Sequence, residues 1–446
     1  LQIKLVYPRL SLRPMDSEFK RRMSPSLSLL VLAALTPAEH SVEIQDENTG
    51  TLRLNDQPDL VGITANVDTA RRAYDIAGRY RLRGIPVILG GLHPSAQPDE
   101  ASQHANSVCI GEGEHLWEHI LRDTMRRELK PRYYNPRPSN VAITPTPRWE
   151  LIDTSKYLYT NILTSSRGCS FRCEFCYNSC AYVHNVYRSR PIENVIAEIV
   201  ALNCRQVMFI DDNFIGNPES TRSLVAAIKP MGLTWHAAVS TNISKHPKLL
   251  DEMAESGCRS LFIGFESVND DSLRNVGKHH NHICEYDALV RQIHNRGIMV
   301  NASMAFGMDY DRVDVFDRTL DWLLTNKVES LTAHILTPYP GTELFRRLEA
   351  EGRIIDRDWT HYNTSNVVFR PKHMSPYELR EGYLRLYSSF YSMRNIIRRM
   401  PDDSRRIPYL LFNLGYRKWG KAVSLLGRIG LMQRIGTFAR RLSYGI

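Results

Sequence analysis

Residues 160–176 read Thr160-Asn161-Ile162-Leu163-Thr164-Ser165-Ser166-Arg167-Gly168-Cys169-Ser170-Phe171-Arg172-Cys173-Glu174-Phe175-Cys176. An apolar strand over 160–165 delivers the chain into a short loop that carries Cys169, Cys173 and Cys176 at C-x3-C-x2-C spacing. Three thiolates on one loop can each hold one iron of a [4Fe–4S] cube and leave the fourth iron open. Zinc is the alternative, and it needs a fourth ligand, which Cys180, His184 or a remote histidine can supply. The remaining cysteines, Cys109, Cys204, Cys258 and Cys284, are scattered singly through segments that read as core. One tight group with scattered single thiols is not a disulfide scaffold and points to a reducing, cytoplasmic setting.

Outward from that loop the apolar pattern switches repeatedly between strand and helix spacing. Strands are predicted over 160–165, 206–210, 234–240, 260–265, 299–306 and 330–336, and helices over 191–202, 219–229, 247–255, 285–296, 313–325 and 342–351. Six strand–helix units in succession predict a partial (β/α)6 barrel over 151–352, with its chemistry on the loops at the strand C-terminal ends. Upstream, strands at 3–7, 42–45, 60–65, 86–89 and 108–110 alternate with helices at 26–35, 69–83 and 115–128. That rhythm predicts a doubly wound α/β domain over 1–130. Pro131, Pro136, Pro138, Pro145 and Pro147 mark 131–150 as an extended linker. Residues 353–446 read as a mostly helical extension, aromatic-rich over 376–399 and basic at its end.

With 446 residues, 43% hydrophobic and 24% charged, the chain has apolar content for several packed domains, which excludes a disordered or fibrous protein. Its best apolar run, 27–35, is too short to cross a bilayer. The net charge of +9 invites a nucleic-acid reading until it is located. From residue 394 onward twelve Lys and Arg face only Asp402 and Asp403, so the catalytic body is close to neutral and no nucleic-acid partner is expected. The tail 408–446 alternates Leu, Ile and Phe with Arg and Lys, a pattern for helices that touch a membrane surface or pack on the barrel.

Gly168 before the first thiol, Phe175 before the third, and the place of the loop after strand one of six make the chain resemble the radical S-adenosylmethionine (radical SAM) superfamily. The resemblance implies a [4Fe–4S] cluster on Cys169, Cys173 and Cys176, with S-adenosyl-L-methionine (SAM) chelating the open iron. It also implies an electron donor such as flavodoxin or ferredoxin, reductive cleavage of a carbon–sulfur bond, and usually a 5′-deoxyadenosyl radical. Ile263-Gly264-Phe265-Glu266-Ser267 closes strand four and resembles the element whose acid meets the SAM ribose and whose glycine permits close approach. A strand-end carboxylate capping the next loop is the plain alternative. Asp211 and Asp212 end strand two where the family holds the SAM amino group, but as paired acids in place of the usual glycines, and a solvated strand-end pair is the plain alternative. Ser303, on strand five, is placed for the ribose or carboxylate, or is a core hydroxyl. Thr337-Pro338-Tyr339-Pro340-Gly341-Thr342 resembles a turn near the adenine. Cys180 reads as a hydrogen-atom donor at the site or as a small buried hydrophobe.

The upstream domain, with Gly90-Gly91-Leu92-His93-Pro94 and Gly111-Glu112-Gly113-Glu114, makes the whole resemble the B12-binding-domain class. Cobalamin is then an implied cofactor, and Gly90, Gly91 and Glu112 are candidates to hold it. The D-x-H-x-x-G segment that supplies a cobalt ligand in many cobalamin enzymes is absent, and His93 reads as structural, so the resemblance implies a corrin without a histidine lower ligand. The implied activity is methylation of an unactivated carbon or phosphinate-type centre in a secondary metabolite or lipid. Its rivals are cobalamin-free dehydration, rearrangement or 3-amino-3-carboxypropyl transfer from SAM, and, from another class, a zinc-stabilised binding protein docking through its basic tail.

Overall fold

The computed structural model describes residues 1–418 apart from 14, 15 and 17. The N-terminal sheet is built from β1 (Gln2–Tyr7), β2 (Ser41–Asp46), β3 (Leu60–Thr64), β4 (Val87–Gly90), β5 (Ser107–Ile110) and β6 (Arg132–Tyr134), all parallel in the order β2-β1-β3-β4-β5-β6. Ile3, Lys4, Leu5 and Val6 are buried in succession, as a parallel strand covered on both faces requires. Lys4 is tolerated there because its Nζ donates to Asp56 Oδ2 and to the Arg53 carbonyl, each at 2.6 Å. One face packs on Ile76, Ala77 and Tyr80, the other on Leu29, Ala33, Trp117 and Ile120. The chain leaves β1 for β2 on one side and returns to β3 on the other, and the crevice beyond the carboxyl ends at such a reversal is where these sheets bind ligands.

The proline-rich stretch expected to be linker starts inside this sheet. Arg132–Tyr134 pairs with β5 as the sixth strand, and the buried Tyr133 donates its hydroxyl to Asp123 at 2.7 Å. Three residues with one inward side chain leave no periodicity to read, so the domain extends a few residues past its expected end.

The second sheet is an open partial barrel of β7 (Ile162–Leu163), then, beyond the short antiparallel pair β8 (Ser166–Arg167) and β9 (Arg188–Ser189), β10 (Gln206–Phe209), β11 (Thr234–Val239), β12 (Cys258–Glu266), β13 (Met299–Phe306) and β14 (Ser330–Ile335). Its order is β14-β13-β12-β11-β10-β7, all parallel. On β13 the buried Val300, Ala302, Met304 and Phe306 enter the apolar shell beneath the helices, which turns Asn301, Ser303 and Ala305 to the barrel interior.

The extension after the barrel covers the free edge of β14. Tyr387 accepts from Ala333 N–H at 2.8 Å and donates to the same residue's carbonyl at 3.2 Å; Tyr391 does likewise with Leu331 at 3.3 and 3.1 Å. Four helical residues rise about 6 Å and two strand residues about 6.6 Å, so phenols at helical i and i+4 match alternate strand residues. An exposed ladder edge is thereby blunted. The helix expected over 376–399 is two, Pro376–Phe390 and Met393–Arg399, because Ser392 caps the second by accepting from Asn395 N–H. A further helix, Arg406–Lys418, packs on the barrel end, with Tyr409 donating to the Ile396 carbonyl at 2.6 Å and Asn413 to that of Glu329 at 3.1 Å. The rest of the basic tail lies outside the described residues. Among those described, no helix is long and apolar enough to cross a membrane.

Candidate active site

β8 and β9 close the loop of cysteines at its base. Gly168 sits at φ +86 with the Val186 carbonyl against it, so a side chain there would force the loop apart. Three neighbours pin the loop. Phe171 stacks on His280 with ring centroids 3.5 Å apart; Glu174 N–H donates to the Val276 carbonyl at 3.0 Å; and Glu174 pairs with Arg347 at 3.0 Å. Burial pushes the Cys173 thiol up to about 11 and that of Cys176 to about 12, so the loop needs a metal's charge to hold them as thiolates.

The paired acids after β10 act on this loop from both ends. Asp212 accepts from Gly168 N–H at 2.9 Å, just ahead of the first thiol, and from the Tyr177 hydroxyl, just after the third. Asp211 is buried, accepts from Ser165 N–H and Oγ at 3.1 and 2.8 Å, and also takes the Ser166 hydroxyl. Desolvation raises its pKa despite those donors. In this arrangement both acids brace the strand-to-loop passage.

Glu266, at φ +64, pairs with the buried Lys278 at 2.6 Å, and a Cβ on Gly264 would stand 2.6 Å from Glu266 Oε1 and 2.9 Å from Lys278 Nζ. The glycine therefore makes room for this ion pair. Burial lowers the Lys278 pKa, but the charges of Glu266 and Cys173 outweigh it and hold the ammonium above its ordinary value. Asn281 supports the strand end by donating to the Gly264 and Phe265 carbonyls at 3.0 and 2.8 Å. Ser303 lies in register with Gly264 on β13 and is buried. Cys180 is buried under Gly341, where an added Cβ would meet its Sγ at 3.5 Å, Tyr182 at 3.1 Å and Ala96 of the N-terminal domain at 3.3 Å.

A cavity of about 440 Å³ lies between the two sheets. Its inner end is apolar, formed by Leu5, Leu29, Ile88, Trp117 and Ile120 around Gly62; its outer end reaches Tyr177, Asn178 and Asp212 beside the cysteine loop. Gly90 and Gly91 line it: Gly91, at φ +101, would bring a Cβ within 2.8 Å of the Ala65 carbonyl, whereas a Cβ on Gly90 would make ordinary contact. Glu112 is in its wall, but its oxygens are taken across the domain boundary. Oε1 accepts from Arg167 at 3.2 Å and Arg188 at 2.7 Å; Oε2 accepts from Arg188 and from Ser139 N–H, both at 2.8 Å. Glu114 adds a second contact to Arg167 at 2.7 Å. His93 is outside the cavity, fully buried, with Nε2 3.3 Å from Glu100 and its ring against Trp359.

Residues 163–323 match the radical SAM superfamily and 342–409 a domain of unknown function. The bacteriochlorophyllide d C-12(1)-methyltransferase of Chlorobaculum tepidum is 31% identical over 390 residues, spanning 85% of each chain. The chain belongs to the radical SAM superfamily, in its cobalamin-dependent class. The hopanoid C-2 methylase of Rhodopseudomonas palustris is 30% identical over 365 residues, covering 78% of this chain and 68% of that protein. The fold as a whole matches a radical SAM methyltransferase, TsrM, from Kitasatospora setae, solved with cobalamin and a [4Fe–4S] cluster, with TM-score 0.67, 15% identity and coverage of 98% and 99% of the two chains.

The donor sets fit the radical SAM cofactors. Cys169, Cys173 and Cys176 are free thiols on one braced loop, three donors for three irons of a cluster. In the cavity wall Asn178 Oδ1 is buried with no protein partner, an acceptor left for a ligand N–H such as a corrin amide. The sequence reading did not single out Lys278, Tyr177 or Arg188. Lys278 follows Gly277 in a turn with no periodicity, and the other two become informative only through partners far away in sequence.

Proposed function

We propose that this radical SAM enzyme methylates an unactivated carbon of a large polycyclic small molecule, using cobalamin as the methyl carrier. One observation carries the reading: the cavity at the β1/β3 crossover opens onto the cysteine loop, so a ligand seated on the N-terminal sheet faces the cluster side of the barrel. When bound, cobalamin supplies a transferable methyl group and SAM supplies both its replacement and the initiating radical. The chain's own part is to hold and orient. Cys169, Cys173 and Cys176 hold the cluster, with Asp211 and Asp212 fixing their loop. Lys278 and Glu266 are placed to take the carboxylate and ribose hydroxyls of SAM through charge-assisted hydrogen bonds, with Gly264 and Ser303 at their side. Gly91, Gly62 and the apolar wall shape the space for the corrin, and Asn178 offers it an acceptor. Among the described residues no histidine lines that space, in keeping with a cobalt that takes no imidazole from the protein.

The eight free thiols support a cytoplasmic setting, and an external one-electron carrier such as flavodoxin or ferredoxin would reduce the cluster. Two relatives frame the substrate class: one is named for a chlorophyllide, the other for a hopanoid, both extended polycycles. The test is the product set of the anaerobically reconstituted enzyme given bacteriochlorophyllide d. S-adenosylhomocysteine and 5′-deoxyadenosine formed together, in cobalamin-retaining protein, are expected. Methylthioadenosine, or deoxyadenosine alone without need of cobalamin, would return the N-terminal domain to a scaffold.

A further inference from the structure

His334 stands on the inner face of β14 between Ala333 and Ile335, whose side chains are wholly buried in the shell. The residue is half-buried, Nδ1 lies 3.1 Å from Thr364 Oγ1, and among the described residues no hydrogen bond joins Nε2. Thr364 is a β-branched residue at φ +64, a conformation such residues avoid. It is fixed there by Ile335 N–H, which donates to its carbonyl at 2.8 Å. Strain of this kind survives where the surroundings over-determine it, and it gathers at functional positions. The same interior face carries a second polar pair, Thr332 Oγ1 donating to Asn301 Oδ1 at 3.0 Å.

Burial, reinforced by the charges of Arg13 and Lys20, pushes the imidazole down to about 3, so it is neutral at physiological pH. The contact between Nδ1 and the threonine hydroxyl sets the ring orientation, and in the tautomer that donates Nδ1–H to that hydroxyl, Nε2 carries a lone pair directed away from Thr364. A histidine whose far nitrogen is held by a hydroxyl or carbonyl is the arrangement that metal-ligating imidazoles use. A hydrocarbon polycycle offers that lone pair nothing. A magnesium or zinc tetrapyrrole, whose four in-plane nitrogens leave an axial position open, offers it a bond.

We propose that His334 is the axial ligand through which the barrel holds a metallated tetrapyrrole substrate, with Thr364 fixing its ring orientation. The inference rests on the methylase reading above and narrows its substrate class.

The test uses the full chain with its cluster reconstituted, zinc protoporphyrin IX and the metal-free porphyrin as probes, and the absorption of the zinc complex as readout. The wild type should bind the zinc probe with the red-shifted spectrum of a five-coordinate, imidazole-ligated zinc and favour it over the metal-free ring. His334→Gly should lose that shift and recover it on addition of imidazole, with cluster iron unchanged. Thr364→Val, which keeps the branched shape and removes the hydroxyl, should weaken the zinc probe by about tenfold or more. Equal affinity for the two porphyrins, or a shift that survives in His334→Gly, would overturn the ligation. Should His334→Gly fail to fold, undiminished zinc affinity in Thr364→Val overturns it. A chain that retains cobalamin but ignores the metal in the probe sinks the ligation and leaves the methylase reading standing; zinc ligation through His334 in a chain that holds no cobalamin does the reverse.

Discussion

In the barrel the ligand-holding atoms are reactive side chains gathered on one loop, Cys169, Cys173 and Cys176, whereas the N-terminal domain makes its ligand space from Leu5, Gly62, Ile88 and Cys109, one residue from each of four strands. The first site is written in chemistry and the second in shape. Iron needs thiolate donors at short range, so their spacing is confined to a few residues. A broad, mostly apolar ligand needs only surface that is concave and uncluttered, and small or apolar residues anywhere on the right strand ends will serve. The difference predicts opposite responses to substitution: the barrel site should fail when donors are removed, the sheet site when volume is added.

The largest effect should come from the donors. Cys169→Ala, Cys173→Ala and Cys176→Ala should each abolish cluster iron and sulfide after anaerobic reconstitution, while Cys180→Ala, buried beneath Gly341 at the domain contact, should assemble a full cluster. Iron loss in the Cys180 variant would move it into the ligand set and blur the distinction between a three-thiol loop and its surroundings.

The sheet site is tested by filling it. A Cβ on Gly62 would meet Leu5 Cδ2 at 2.9 Å, with Trp117 and Ile88 at 3.8 and 3.9 Å. Leu5 can give way to a methyl, but Gly62→Val adds two more carbons at the inner end of the cavity, an overpacking of about 1–3 kcal/mol that a domain of this size tolerates. Cobalamin retained per chain should fall severely and iron per chain should not change. A variant that keeps its cobalamin would show that the corrin does not use the inner end.

This contrast also explains what could be read in the sequence. Both α/β units, the succession of most of their strands along the chain and the cysteine loop follow from local periodicity and local spacing, which a linear reading preserves. Glu266 and Gly264 were legible as a motif, but their partner Lys278 was not, because an ion pair across a β12-to-turn contact leaves no periodic trace. Asp211 and Asp212 read by position as SAM contacts or as a solvated strand-end pair; what the sequence does not reveal is that they accept from Ser165, Ser166, Gly168 and Tyr177, contacts set by how β7 and β10 pair. Glu112 was marked from its glycine-rich loop as a cofactor contact, yet its guanidinium partners, Arg167 and Arg188, belong to the other domain. Long-range pairing is what a sequence without its fold withholds.

That last pair gives the smallest predicted effect and the sharpest one, since it joins the two regions being compared. Burial raises the Glu112 carboxyl, but Arg188 and Arg167 overcome this and bring it down to about 2, from an ordinary value of 4.5. A depressed carboxyl stabilises the folded state fully above its unfolded pKa and loses that contribution as pH falls through the folded one. The latch should therefore be intact above about pH 5, weaken between 4.5 and about 2, and be absent below that range. Glu112→Gln keeps the shape and removes the charge, replacing charge-assisted hydrogen bonds with neutral ones at a cost of about 1–2 kcal/mol. Other carboxylates titrate in both proteins, so the informative quantity is the difference in thermal midpoint between wild type and variant as a function of pH. It should be constant from pH 5 to 8 and shrink on acidification. A difference independent of pH down to 3 would mean that the two domains are held by packing at Gly341 and Tyr182, and that the charges at their boundary only follow.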